Sequence, residues 1–170
     1  MKKLMLVALL LVATTLLANG GPSVTTVILV RHGEKPSPST DALSEAGATR
    51  AAELARVLQA VKIDAVYTTP YERTRKTAAP LAQKLGLTAV EVNPKEAGYA
   101  GRMAKIVREK HEGGTVVIVG HSDTTQEVIH ALGGSIPTID EPIFDNLFIV
   151  TLVDGAPAKV LALRYGAHRP

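Results

Sequence analysis

Cysteine and tryptophan are both missing from the 170 residues, and the aromatic complement is four tyrosines and two phenylalanines. Without thiols there is no disulfide, thiolate nucleophile or cysteine metal site, so a chain of this length has to be held together by one apolar core. So few aromatic residues, with no long run of lysine or arginine, leave neither a stacking platform nor a basic stripe for nucleic acid. Long apolar runs are scarce too. The one at residues 4–18 follows Lys2-Lys3 and leads into the small residues Ala18-Asn19-Gly20. It is shorter than the roughly 20 residues that a spanning helix needs, and it reads as a secretory signal removed near Gly21. No cysteine follows it, which closes the lipoprotein route. The expected organisation is therefore a signal peptide over 1–20 and a single domain over 21–170, exported to a periplasmic or extracellular space. The domain meets a membrane only if the signal is retained. The chain has 19 basic and 16 acidic residues; losing Lys2 and Lys3 leaves 17 against 16, nearly neutral, so any functional positive charge has to be local.

After that segment, short runs rich in valine and isoleucine alternate with stretches of helical period. This is the pattern of βαβ units around a mostly parallel sheet. The expected fold is one three-layer α/β/α domain closed by a C-terminal antiparallel hairpin. Strands are expected at residues 25–30, 65–69, 88–92 and 115–119, the last β-branched throughout, as suits a strand covered on both faces. Ser44 is placed to cap a helix in which Leu54, Val57, Leu58 and Val61 recur at i, i+3, i+4 and i+7. Pro70 opens a second helix with Arg73, Thr77 and Leu81 on one side, and Pro80 is expected to kink or break it. Further helices are expected near 101–112, with a Met103, Ile106, Val107, Lys110 stripe, and near 124–132. The hairpin pairs 148–153 with 159–165 around Asp154-Gly155.

Two segments share a design: Val-Ile-Leu-Val-Arg-His-Gly ending at Gly33 and Val-Val-Ile-Val-Gly-His-Ser ending at Ser122. Each is an apolar strand that stops, passes one residue and presents a histidine. In open parallel sheets ligands bind beyond the carboxyl ends of the strands, so His32 and His121 converge there if their strands are neighbours. Arg31 offers a planar fork of donors to phosphate oxygens, and Gly33 allows close approach with its N–H towards an anion. Arg73, at a helix start where backbone N–H groups gather, is a second clamp. A neutral imidazole is a competent nucleophile towards phosphorus, and a second one can stabilise the oxygens as charge shifts.

These residues sit in four ordered motifs: VRHGE, LSEAG, YTTPYERTRKTA and VGHSDTT. Together, over residues 26–134, they resemble the histidine phosphatase superfamily, the phosphoglycerate mutase-like family. The resemblance implies that His32 accepts a phosphoryl group, that Arg31, Arg73 and His121 form the phosphate pocket, and that no metal or organic cofactor takes part. Thr69 stands at the family's serine position, which makes it an additional pocket donor. The implied partner is a small phosphorylated substrate or a phosphoprotein.

The general acid is where the pattern loosens. Glu96 lies 23 positions beyond Arg73, as a family glutamate often does, although its surroundings match poorly; Asp123 follows the second histidine but with Ser122 between. Both remain candidates, and with no acid the site would favour good leaving groups. The large insertion of the cofactor-dependent mutases is missing, so hydrolysis is favoured over mutase transfer, with an open site. Alternatives are a silent phosphate-binding scaffold and a hydrolytic metal held by His32, His121 and Asp123, which two neighbouring arginines would oppose. Glu34 is as ready to pair with Lys35 or Arg50 as to act in catalysis. His111, His130 and His168 read as surface or packing residues.

Overall fold

Apolar residues in consecutive positions, rather than in alternation, decide the architecture, because a strand built from them has to be covered on both sides. A computed structural model describes residues 21–168; the expected signal segment lies outside the described residues. Strand β1 (Val24–Arg31) sends Val27 and Leu29 into one core and Ile28 and Val30 into the other. Strand β4 (Thr115–Gly120) does the same with Val116 and Ile118 against Val117 and Val119. Helices α3 (Tyr99–Lys110) and α4 (Ser122–Ala131) cover the first face through Met103, Val107, Val128 and Ile129. Helices α1 (Glu45–Leu58) and α2 (Glu72–Leu85) cover the second through Leu54, Leu58, Ala78 and Leu81.

The sheet is completed by β2 (Ala65–Thr68), β3 (Val90–Glu91), β5 (Asn146–Val153) and β6 (Lys159–Arg164), in the order β3-β2-β4-β1-β5-β6. Neighbours from β3 to β1 are parallel, whereas β5 runs antiparallel to both β1 and β6. The α/β/α layers, the mostly parallel sheet and the closing antiparallel pair are those expected from the pattern.

Several details differ from the expectation, each for a local reason. Strand β3 has two residues instead of five, since only Tyr67–Val90 and Thr68–Glu91 pair at this exposed edge. Val57 is exposed because the buried face of α1 runs through Arg50, Ala51, Leu54, Ala55 and Leu58, to one side of it. Ser44 does cap α1, accepting the Gly47 N–H. Helix α2 begins after Tyr71, so Pro70 precedes it, and Pro80 lies inside it without ending it. The carbonyl that Pro80 leaves without a partner belongs to exposed Lys76, on the side where water can take the lost donor's place.

The turn after β1 is fixed by packing. A Cβ on Gly33 would stand 2.7 Å from the Gly47 carbonyl oxygen, and one on Gly47 would stand 2.3 Å from that of Glu34, so both glycines are needed where the chain meets the start of α1. Glu34 pairs with Arg50 through two hydrogen bonds of 3.0 and 2.7 Å, and both side chains are buried. Arg50 also donates to the Tyr165 and Ala167 carbonyls, tying this turn to the C-terminal strand. Glu34 is thus part of the scaffold.

Candidate active site

The chain runs from β1 past the position of β4 to β2 and β3, then returns to place β4 between β2 and β1. That return makes the two similar strand ends neighbours: Arg31 lies opposite Gly120, and the His32 N–H donates to the Gly120 carbonyl at 2.9 Å. The two imidazoles, both buried, sit with ring centroids 5.4 Å apart at 64°. They share an open cleft of about 340 Å³ with Arg31, Arg73, Lys35, Lys95, Asp123 and Glu141 among its walls. A larger cleft of about 590 Å³ beside α1 touches neither histidine.

Hydrogen bonding assigns the tautomers. His32 Nδ1 lies 2.7 Å from the Gly33 carbonyl oxygen, which can only accept, so Nδ1 carries the proton and Nε2 keeps its lone pair. Burial pushes the His32 pKa down to about 3 against the pull of that carbonyl, with Arg31, His121 and Arg73 adding to the fall, so the ring is neutral at ordinary pH. His121 Nδ1 lies 3.2 Å from Arg73 Nη2, an obligate donor; Nδ1 therefore accepts, and Nε2–H donates to Thr69 Oγ1 at 3.0 Å. Burial first and Arg73 next bring its pKa down to about 4.

Each histidine has a guanidinium and an aromatic ring beside it. Arg31 lies over Phe144 at 4.1 Å, and the same ring is 5.8 Å from His32. Arg73 lies over Tyr71 at 4.3 Å, and that ring meets His121 edge-on at 5.2 Å. Arg73 Nη1 is paired with Asp41 Oδ1 at 2.5 Å, and Asp41 Oδ2 accepts the Glu72 N–H at 2.8 Å. Burial would raise the Asp41 pKa, but the Glu72 N–H and the Arg73 guanidinium hold it below the usual carboxylate range. Burial lowers the Arg31 pKa, with Glu141 opposing. The Nε atoms of both arginines are buried without a hydrogen-bond partner.

The structure brings Arg31, His32, Arg73, His121 and Asp123 to one cleft and corrects three other expectations. The Gly33 N–H faces Thr77 Oγ1 at 2.9 Å and not the cleft; Thr77 in turn donates to the Arg73 carbonyl. Thr69 is fully buried and shares its hydroxyl with His121 and Thr74, so it supports His121 from behind and forms no wall. Glu96 is exposed outside the cleft, 3.3 Å from Arg102, because Arg102 gathers the carbonyls of Asn93, Glu96 and Ala97 and draws this turn towards α3. Its neighbour Lys95 is the residue that reaches the site. Asp123 stands at the rim, exposed, with Oδ1 on the Thr124 N–H at 2.6 Å. Among the described residues no group of three or more His, Asp or Glu is spaced to hold one metal ion.

Reading the sequence missed Tyr71, Lys95 and Glu141, which line the cleft, and Asp41 and Phe144, which contact its arginines; all come from loops and helix starts. No hydrophobic period marks such positions. The only signal was indirect: Tyr71 lies inside the YTTPYERTRKTA motif and Lys95 stands next to Glu96.

Residues 27–96 match the family model of the histidine phosphatase superfamily (branch 1). No curated protein matches the chain by sequence. Among solved structures, the protein histidine phosphatase SixA complexed with tungstate is 20% identical, with a TM-score of 0.63 over 82% of this chain and 96% of that one. Mycobacterial glucosyl-3-phosphoglycerate phosphatase is 18% identical, with a TM-score of 0.60 over 75% and 90%. A putative alpha-ribazole-5'-P phosphatase from Escherichia coli K-12 is 16% identical, with a TM-score of 0.64 over 82% and 96%. Over residues 27–96 the chain is thus similar to the histidine phosphatase superfamily, and it shares a fold with these structures.

Proposed function

We propose that the protein is an exported, metal-independent phosphohydrolase that works through a phosphohistidine on His32. The observation that carries this reading is the His32 Nδ1 to Gly33 carbonyl bond, which leaves the Nε2 lone pair available in a cleft walled by two guanidinium groups. In the first step Nε2 attacks phosphorus in line, the N–P bond forms and the P–O bond to the leaving group breaks. Arg31 and Arg73 meet the phosphoryl oxygens, whose charge they are arranged to stabilise, and His121 orients Arg73 by accepting from its Nη2. Water then attacks phosphorus, the N–P bond breaks, and inorganic phosphate leaves with His32 again neutral. The leaving oxygen needs a proton unless it is a weak base. Asp123 at the rim is the remaining acid of the two expected from the sequence, and its exposure, with Oδ1 already on the Thr124 N–H, favours aryl phosphates, acyl phosphates and phosphohistidine over alkyl esters. The short segment between β3 and α3 leaves the cleft open, which suits a small phosphorylated molecule or the surface of a phosphoprotein. Export rests on the basic and apolar character of residues 1–20.

The test is brief incubation with p-nitrophenyl phosphate in chelator, an alkaline quench and mapping of acid-labile phosphate. The expected result is turnover insensitive to chelator, with the label on His32. Turnover without that label rejects the covalent mechanism, and turnover abolished by chelator rejects the metal-independent one.

A further inference from the structure

The Arg31 guanidinium is already in use. Its Nη1 is held by main-chain carbonyls of Asp140, Glu141 and Ile143, in the loop between α4 and β5. Its Nη2 is held by the Glu141 carboxylate, Oε2, at 2.7 Å. The third donor, Nε–H, is buried and has no partner. Nε–H and Nη2–H of a guanidinium point the same way and form the two-pronged edge that a carboxylate or phosphate takes with two oxygens. Glu141 takes only one prong, because its other oxygen, Oε1, accepts from the Ser122 hydroxyl. The fork of Arg31 is therefore half filled by a group of the protein's own.

Glu141, Ser122, Arg31 and both histidines line the same cleft. The Glu141 side chain is 77% exposed, against 5% for Arg31, so the carboxylate can leave for water while the guanidinium stays in place. An exposed carboxylate in an ion pair is held weakly, whereas an incoming phosphoryl dianion carries more charge and can fill both prongs, including the orphaned Nε.

The geometry points to Glu141 as a resident carboxylate that occupies the Arg31 fork in the free protein and is displaced by the substrate's phosphoryl group, so that it sets how tightly phosphate is held. This rests on the proposed phosphate pocket and adds a specificity-determining residue to it. Singly charged ligands that offer one oxygen to Arg31 compete with Glu141 on even terms and are disfavoured; doubly charged phosphoryl groups win. The Ser122 hydroxyl has a defined part, since it diverts Oε1 and keeps the grip incomplete.

The test is calorimetric titration of the protein with inorganic phosphate, alongside KM for p-nitrophenyl phosphate. Glu141→Gln keeps the shape and removes the charge, and the expected result is a phosphate dissociation constant lower by about tenfold, with KM falling in parallel. Ser122→Ala frees Oε1 to fill the second prong, so phosphate binding weakens several-fold, and the same change made on top of Glu141→Gln has no such effect. A purely structural Glu141 gives the opposite sign, because its loss loosens the loop and weakens binding. Unchanged or weaker phosphate binding in Glu141→Gln overturns the inference. So does a loss of turnover confined to alkyl phosphates with phosphate affinity unchanged, which makes Glu141 a proton donor. A wild-type protein that neither binds phosphate nor turns over overturns this inference and the proposed function together; one that binds while Glu141→Gln fails to tighten overturns this inference alone.

Discussion

The ends of β1 and β4 carry parallel equipment: an apolar strand, a histidine, a guanidinium and an aromatic ring stacked on that guanidinium, Arg31 on Phe144 and Arg73 on Tyr71. They differ in what the histidine has left to give. His32 spends one nitrogen on its neighbour's carbonyl and keeps Nε2, while His121 spends both, accepting from Arg73 and donating to Thr69. The difference comes from the residue that follows. After His32 the chain enters a loop, and the Gly33 carbonyl turns back to the ring. After His121 it enters α4 at once, with the His121 N–H held by Thr124 Oγ1 and the ring left to partners from α2 and from the residue after β2. Similar sequences thus yield one imidazole available for bond formation and one fixed as part of the pocket wall.

The largest way to break this contrast is His32→Ala. On the proposed mechanism it lowers aryl phosphate turnover by roughly 10³-fold or more and removes acid-labile phosphate; activity within tenfold of wild type would transfer the nucleophile's role elsewhere. His121→Ala is expected to cost about 10² to 10³-fold in kcat, the scale of one misplaced stabilising donor, because Arg73 loses the acceptor that orients it, with phosphohistidine still detectable at long incubation. Thr69→Val sharpens the comparison from behind. It removes the acceptor that orients His121 and nothing from the cleft, so kcat falls about tenfold, well short of the loss in His121→Ala. If Thr69→Val and His121→Ala cost the same, Thr69 belongs to the pocket after all.

The smallest effect concerns both rings and appears in stability. The folded pKa is about 3 for His32 and about 4 for His121, below the value of about 6.5 expected in the unfolded chain. Between those values the unfolded state binds protons that the native state does not. The stabilising contribution is therefore complete above about pH 6.5 and shrinks as pH falls towards the folded values. Urea unfolding followed from pH 7.5 to 4.5 should show a shallower decline in His32→Asn and in His121→Asn than in wild type. An unaltered slope in both would mean that the rings are charged in the fold.

Much of the scaffold was legible in residue order. The β-branched runs at β1 and β4, the capping Ser44 and the stripes of α2 and α3 follow from local period and local hydrogen bonding, which a sequence displays directly. Arg31, His32, Arg73 and His121 were legible because each lies next to such an element. Glu96 misled because spacing places a residue in the chain and does not say which way a turn faces, and here Arg102 decided the direction. Gly33 misled for a related reason: its backbone freedom suggested an anion, whereas the close passage of Gly47 uses that freedom up.

By itself the sequence determined which residues stand at the ends of two buried strands, since burial on both faces is written in consecutive apolar side chains. Only the tertiary structure decided that β4 returns to lie beside β1, that the proton of His121 is placed by residues 48 and 52 positions away, and that Glu141 occupies the fork of Arg31. Those outcomes depend on directed polar contacts between distant loops. A hydrogen bond has a partner and an angle but no period, so nothing in the order of residues announces it.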